Sequence, residues 1–549
     1  MHFRTVWIVV FVSISIALSC HRQDEYETRT VFRYNESKGI ATLDPAFARS
    51  QTIIWPVSQV FNGLVQLTEN LTITPCIAKS WKISEDGLTY TFTLRNDVFF
   101  HENEVFGADN SRKVVARDVV FSLNRISDPG TASPGAWIFN VLDKNATPDG
   151  KGMEALNDTT VRIYLNKPFP GFLGVLSMQY CSIIPQEAIE VYGKGFRNRP
   201  VGTGPFKFKY WREGEKLVLV KNPLYFETDS AGNSLPYIDA IAVSFIADKQ
   251  SEFMEFIKGE IDFLSGVHAA YKDELVTRSG KLNPKYVGRF TMSKTPYLNT
   301  EYLGIVQDTS MTIMRNSPLS QQKVRLAINF GFNRDKMMLY LRSNIGRPAH
   351  SGFAPKGLPS FNPEKVVGYS YNPDTARILL HEAGFPNGKG LKPVTLTTTS
   401  DYLDLCEYIQ HELAQIGIPV NIEVSTGATF REMVSMAKVN FFRGSWIADY
   451  PDAENYYALF YSENQSPGGP NYTRFDNEAF DQLYARALLI NTDSLRYRLY
   501  HQMERIILNE APVVPLYYDE VVRFTQNRIK NFQGNPLNML ILKNVVINE

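Results

Sequence analysis

Arg443-Gly444-Ser445-Trp446-Ile447-Ala448-Asp449-Tyr450-Pro451-Asp452 follows an apolar run, Val439 to Phe442, and breaks into Gly, Pro and carboxylates. It reads as a strand ending in a loop. A cation, two aromatics and two acids thereby stand at a strand mouth, where ligand sites on α/β scaffolds lie. Taken alone, the same residues also describe a solvated loop with a buried Trp.

The flanks of this stretch alternate between strands and helices. Helical spacing runs from Ser320 to Leu341 through Val324, Ala327, Ile328, Gly331, Met337 and Met338. Tyr371-Asn372-Pro373-Asp374 opens a helix, with Asn372 as N-cap and Pro373 in the first turn, and Ala383-Gly384 closes it. Pro393 to Thr399 is a strand, and Leu403 to Ile416 a helix stopped by Gly417. Leu405, Tyr408, Leu413 and Ile416 of that helix point inward. Val420, Ile422 and Val424 mark another strand. Helices near Glu478 to Leu489 and Asp493 to Asn509 complete an α/β unit.

The first half is patterned differently. Thr30 to Tyr34 is a short strand, and Gln51 to Leu64 a helix ending near Gly63. Trp81-Lys-Ile-Ser-Glu-Asp-Gly-Leu-Thr-Tyr-Thr-Phe-Thr-Leu-Arg95 turns at Asp86-Gly87. Leu88, Tyr90, Phe92 and Leu94 then alternate with threonines, a half-buried antiparallel strand. Ala116 to Ile126 is a helix with Val119, Val120, Leu123 and Ile126 on one stripe. Residues 127 to 158, rich in Pro, Gly, Asp and Asn, read as loop, and Thr160 to Asn166 as a strand. Val201-Gly-Thr-Gly-Pro-Phe-Lys-Phe208 lacks the Gly-Lys-Ser/Thr ending of a phosphate-binding loop and leads into a hairpin across Glu213-Gly214. Phe253 to Gly259 is a helix running into a strand at Glu260-Ile-Asp-Phe263. Residues 295 to 306 form an aromatic strand.

Several of these segments occur together in one family. Trp446-x-Ala448-Asp449-Tyr450 resembles the binding-loop motif of the oligopeptide- and dipeptide-binding proteins of bacterial peptide ABC importers. Six further stretches resemble other elements of the same family: Trp81 through Arg95, Ala116-x-Asp118-Val-Val-Phe-Ser-Leu123, Gly202-Thr-Gly-Pro-Phe206, Gly259-Glu-Ile-Asp262, the stretch from Val324 to Met337, and Ala511-Pro-Val-Val-Pro-Leu-Tyr-Tyr518. The resemblance covers about residues 30 to 549. It implies an α/β, two-lobed periplasmic-binding-protein (Venus flytrap) fold with an extra N-terminal subdomain and a hinge of two crossings, near 300 and 515. The implied division is lobe 1 over 30–300 (extra subdomain about 76–200), lobe 2 over 301–514, and a C-terminal return to lobe 1 over 515–549. In such proteins the Asp matching Asp449 pairs with the peptide's α-ammonium. Trp446 and Tyr450 would help to form the pocket. Arg443 matches an Arg that contacts the peptide C-terminus in some oligopeptide binders, and a structural ion pair is its other reading. No carboxylate-binding Arg follows the 393–399 strand; Ser400, Asp401 and Tyr402 lie there instead.

The start of the chain resembles an export signal. His2 and Arg4 precede an apolar run from Val6 to Leu18, too short to span a bilayer. Ala17-Leu18-Ser19-Cys20 resembles a lipobox, with Cys20 carrying the lipid and Ala17 standing where Leu is usual; ordinary signal-peptidase cleavage also suits it. The expected organisation is a signal peptide over 1–19 and a polar tether over 20–29, on a lipid-anchored periplasmic or cell-envelope protein. Cys76, Cys181 and Cys406 match no zinc or CxxC spacing.

The 549 residues exceed what one core holds. Lys+Arg and Asp+Glu both number 57, so no global field draws nucleic acid. Gly-x-Ser-x-Gly and His-Glu-x-x-His are absent; His381-Glu382 and His411-Glu412 each lack the second His. No enzyme, cofactor or metal site is expected. The expected function is a monomeric substrate-binding lipoprotein that captures short peptides for the permease subunits of an ABC importer. The alternative is a binder of another solute on the same fold, such as nickel, haem, an oligosaccharide or an amine.

Overall fold

In the computed structural model, which describes residues 29–548 except 269, the two long strands Phe290–Ile305 and Val513–Gln526 run antiparallel through the middle of an 11-stranded sheet. On one side of this pair lie Phe441–Ile447, Val394–Thr398 and Val420–Val424. On the other lie Phe263–Ser265, Val31–Asn35, Ala240–Ser244, Lys216–Lys221 and Phe206–Arg212, and the eleventh strand, Arg347–Pro348, pairs with Val513–Gln526 off this path. Each half buries its own core. Phe32, Phe92, Val119, Leu123 and Phe172 belong to one; Leu303, Val324, Leu396, Phe441 and Tyr500 belong to the other. A smaller cluster around Phe256, Phe290 and Phe524 sits beside the long pair.

The alternation from Leu88 produces the strand Thr89–Leu94, with Tyr90, Phe92 and Leu94 inward and the threonines facing out. Burying Phe92 contributes about 1.5–3 kcal/mol. This strand belongs to a separate four-stranded antiparallel sheet that shares the first core. Its outer member, Met153–Asn157, corrects the expectation that 127–158 is loop throughout. Only Met153 of that strand is buried, so no alternation marks it. An edge strand can rest on backbone pairing alone.

The first helix is shorter than its pattern suggests, spanning Gln51–Val60. The Gly202-Thr-Gly204 turn packs against its end, and Gly204 N–H donates to Val60 O at 2.8 Å. The glycines serve close approach: a Cβ on Gly202 would lie 2.1 Å from Val60 O, and one on Gly204 2.5 Å from Gln59 O. The helical stretch after Ser320 divides at Gly331–Asn333 into Gln322–Phe330 and Arg334–Leu341. Asn333 caps the second piece by accepting from Lys336 N–H at 3.0 Å. Asn372 caps Pro373–Glu382 in the same way, from Thr375 N–H at 3.0 Å. Cys76, Cys181 and Cys406 are buried and free of disulfides. Cys20, the signal segment and all but the end of the tether lie outside the described residues.

The long pair is interrupted where it passes between the cores. Its register shifts between Pro296 and Thr300, so that only Asp519 lies opposite Tyr297, Leu298 and Asn299. Pro296 has no N–H to give, as befits a break. Leu298 turns its backbone elsewhere: its N–H donates to Pro536 O at 2.9 Å, and its carbonyl accepts from Ala448 N–H at 2.9 Å and Tyr456 Oη at 2.6 Å. One irregular residue thus ties the strand-to-loop turn at Ala448 and the C-terminal segment to a common point. That point is where the candidate site lies.

Candidate functional site

The strand Phe441–Ile447 pairs with Phe290–Ile305 from Phe441 opposite Ile305 to Ile447 opposite Asn299, and the chain then leaves the sheet. Trp446 anchors the turn: its Nε1–H donates to Asn455 Oδ1 at 2.8 Å, and the same oxygen accepts from Asp449 N–H at 3.4 Å. Tyr450 is buried. Its hydroxyl donates to Glu454, which also accepts from Tyr484, and its ring meets Phe169 edge-on at 5.6 Å. Although Ala448 packs into the second core, Tyr450 packs into the first, and Gly171 and Gly174 leave room there for Tyr450 and Pro451. The loop is therefore held from both halves.

The loop's three acids differ in their company. Glu454 is fully enclosed, and burial raises its carboxyl above the ordinary range against the pull of Tyr450 and Tyr484. Asp452 is paired with Arg496 at 2.9 Å and accepts from Tyr500 Oη at 2.6 Å. Asp449 has no cationic partner among the described residues. Burial raises its carboxyl too, with Asn455 opposing. The side chain nevertheless keeps contact with solvent, because it faces an open cleft. Direct access to water works against that push, and the surrounding walls give its direction.

That cleft encloses about 460 Å³, within the range of small-ligand sites. Ile447, Ala448, Asp449 and Pro451 form one wall. The rest of the lining includes the first helix with Arg49 before it, Trp137 and Tyr180, and the segment Asn535–Lys543. Trp55 joins two of these elements, its Nε1–H donating to Asn538 O at 2.8 Å. Tyr297, freed by the register shift, also faces the space.

Of the four residues singled out in the sequence, Asp449 lines the cleft, whereas Trp446 and Tyr450 brace the loop behind it. Arg443 stands one layer back. It is ion-paired with the buried Glu301, and its guanidinium carbon lies 3.2 Å from the centroid of the Tyr402 ring. Burial raises Glu301's carboxyl, and the Arg443 charge opposes that.

Residues 72–468 match the family model described as bacterial extracellular solute-binding proteins, family 5 Middle. The chain belongs to this family. Its relatives include haem-binding protein A of Haemophilus influenzae, 28% identical over 93% of this chain and 91% of that one. Glutathione-binding protein GsiB of Escherichia coli K12 is 27% identical over 90% of each. Among solved structures, the unliganded open form of MppA, a periplasmic murein tripeptide binding protein, superposes with a TM-score of 0.80 at 23% identity, covering 95% of this chain and 98% of that one. The fold is the two-lobed mixed α/β one of periplasmic binding proteins, with the four-stranded sheet as its additional subdomain.

This family 5 protein is a solute-binding component of an ABC import system and not an enzyme. It acts outside the cytoplasmic membrane, and among the described residues no helix is long and apolar enough to cross one. Of its cleft lining, the sequence motif contains Ile447, Ala448, Asp449 and Pro451; most of the lining lies elsewhere in the chain. Arg49, Trp137, Tyr180 and the 535–543 segment come from four separate stretches, and none carries a local motif. The one legible signal was Asp44-Pro45-Ala-Phe-Ala-Arg49, a polar turn leading into an apolar helix.

Proposed function

We propose that this protein captures short peptides between its lobes and that Asp449 pairs with the ligand's α-ammonium group. The observation that carries this reading is an acid on the cleft wall without a counter-charge among the described residues, in a loop whose other acids are satisfied. An unpaired carboxylate in a partly desolvated wall is costly until a cation joins it. Every unmodified peptide brings one. Glutathione, for which the E. coli relative is named, is itself a peptide with a free amine. The haem-binding relative supports a second reading, a different solute in the same cleft. Haem brings propionates, which Asp449 would repel. Trp446 and Tyr450 act by holding Asp449 in place, and Arg443 takes the role of a structural ion pair.

The proposal includes the lobe boundaries near 300 and 515, delivery to permease subunits, and a lipid on Cys20 after removal of residues 1–19. Fatty-acid labelling lost in Cys20→Ala would support the anchor, and equal labelling of the variant would refute it.

The amine contact is tested by titrating a free-amine peptide and its N-acetyl form against wild type and Asp449→Asn. Removing one partner of a desolvated charge pair costs about 2–5 kcal/mol, so affinity for the free amine should drop roughly 30- to 3,000-fold. Acetylation should cost wild type as much and add little to the variant. Equal binding of both forms by wild type would bring the other-solute reading forward.

A further inference from the structure

The cleft that exposes Asp449 also exposes Arg49, and the surroundings explain why that arginine is free. Its main-chain N–H closes a turn on Phe47 O at 2.7 Å, while its guanidinium makes no ion pair or hydrogen bond among the described residues. The nearest acid in sequence, Asp44, is already engaged. Its carboxylate caps Ala46 N–H at 3.0 Å and holds Arg125 through two bonds of 2.9 and 2.6 Å. The other cation lining the cleft, Lys543, is committed to Glu227 and donates to Gln66 Oε1 at 3.0 Å. Arg443 lies outside the lining and is held by Glu301. Among the described residues, the cleft therefore offers one uncommitted positive group, on the first lobe, and one uncommitted negative group, on the second. Tyr180 lines the same cleft. Arg49 and Asp449 act on its phenol in opposite senses, beneath the larger effect of burial.

We infer that Arg49 is the anchor for a ligand carboxylate, so that Arg49 and Asp449 together select a ligand bearing a free ammonium and a free carboxylate. This rests on the peptide reading of Asp449 and supplies the second end of the ligand. A guanidinium presents parallel N–H donors that match a carboxylate bidentately, as a lysine does not. Because the two charges belong to different lobes, a zwitterion that meets both links the lobes and neutralises both. Esterified or purely anionic ligands leave one charge unmatched inside the cleft, and uncharged ones leave both.

The test begins with an equimolar library of free-acid di- to tetrapeptides, from which the tightest ligand is identified by mass spectrometry of the protein-bound fraction. That peptide is then titrated by calorimetry as free acid, C-terminal amide and N-acetyl form against wild type, Arg49→Gln and Arg49→Lys. Charge-assisted hydrogen bonds of this kind translate into roughly 10- to 150-fold in affinity. Arg49→Gln should lose about that much for the free acid, and Arg49→Lys less. Amidation should weaken wild type similarly and Arg49→Gln hardly at all, while N-acetylation should cost Arg49→Gln as much as it costs wild type. If amidation weakens wild type and Arg49→Gln alike, the carboxylate is held elsewhere; the proposal fails and the peptide reading stands. Tighter binding by Arg49→Gln would mean that Arg49 competes with the ligand for Asp449, which also overturns it. Recovery of no peptide from the library would remove the peptide reading and this inference with it.

Discussion

Arg443 and Asp449 lie six residues apart, and their charges are used in opposite ways. Arg443 is spent inside the protein: its partner Glu301 is nearly inaccessible, and Tyr402 covers its face. Breaking a buried pair by removing one member costs about 3–5 kcal/mol, because it strands the other charge. Arg443→Ala should therefore lower the urea midpoint of unfolding markedly, and adding Glu301→Gln should restore part of the loss. A variant of unchanged stability but weakened peptide binding would instead make Arg443 a ligand contact. Asp449 titrates in a way that has a definite sign. Its folded-state value lies above the ordinary one, so between the two values the folded protein binds more protons than the unfolded chain. Its contribution to unliganded stability is accordingly favourable at low pH and declines as pH rises through the folded value. Ligand binding runs the other way, since the ammonium needs the ionised carboxylate. Affinity for a free-amine peptide should be flat near neutrality and fall as pH drops through the Asp449 value, and calorimetry should find that fall missing in Asp449→Asn.

At the scale of elements, the part of the lining that the first helix supplies depends on how closely the Gly202-Thr-Gly204 turn meets that helix. His101 fastens the turn, with its main-chain N–H donating to Gly202 O at 2.7 Å and its Nε2 2.9 Å from Gly204 O. Burial keeps that ring neutral, lowering its pKa to about 4. A methyl at Gly202 would press on the main-chain carbonyl of Val60, which has no flexible end to give way. Gly202→Ala should destabilise by about 1–3 kcal/mol or more through overpacking. Gly214, in an open hairpin turn with φ of +75° and nothing within 4 Å of a Cβ, provides the comparison. There Ala should cost only the left-handed backbone conformation, about 1–2 kcal/mol. Thermal melts of the two variants should be paired with ligand titrations, because only Gly202→Ala displaces the helix that carries the cleft wall. Equal loss of affinity in both would rule out that link.

For the molecule as a whole, the decisive feature is that two long strands pass between two cores, with their pairing broken between Pro296 and Thr300. Packed cores resist deformation, so a relative rotation of the lobes concentrates at such a break. Saturating peptide should bring the lobes together and reduce the radius of gyration in solution scattering. It should also stabilise the protein by about 2.7 kcal/mol at a hundredfold excess over Kd. An unchanged scattering curve under those conditions would exclude a clamp.

The sequence by itself determined most of the elements and carried the resemblance to the family. The alternation from Leu88 to Leu94, the cap at Asn372-Pro373 and the strand-to-loop break after Trp446 all record local conformational preference, and each appears in the structure. It also located Asp449, because that residue sits in a contiguous motif. Tertiary structure alone decided which charges stay free. Arg443, Lys543 and Arg49 are all cations in the sequence. Only folding brings Glu301 to the first and Glu227 to the second, and gives Asp44 to Arg125, so that Arg49 is left without a partner among the described residues. The same holds for the edge strand Met153–Asn157 and for the end of the first helix at Val60, which answer to neighbours distant in sequence. Local pattern encodes what a segment can form; burial and partner choice are pairwise properties, which a single stretch of sequence does not carry.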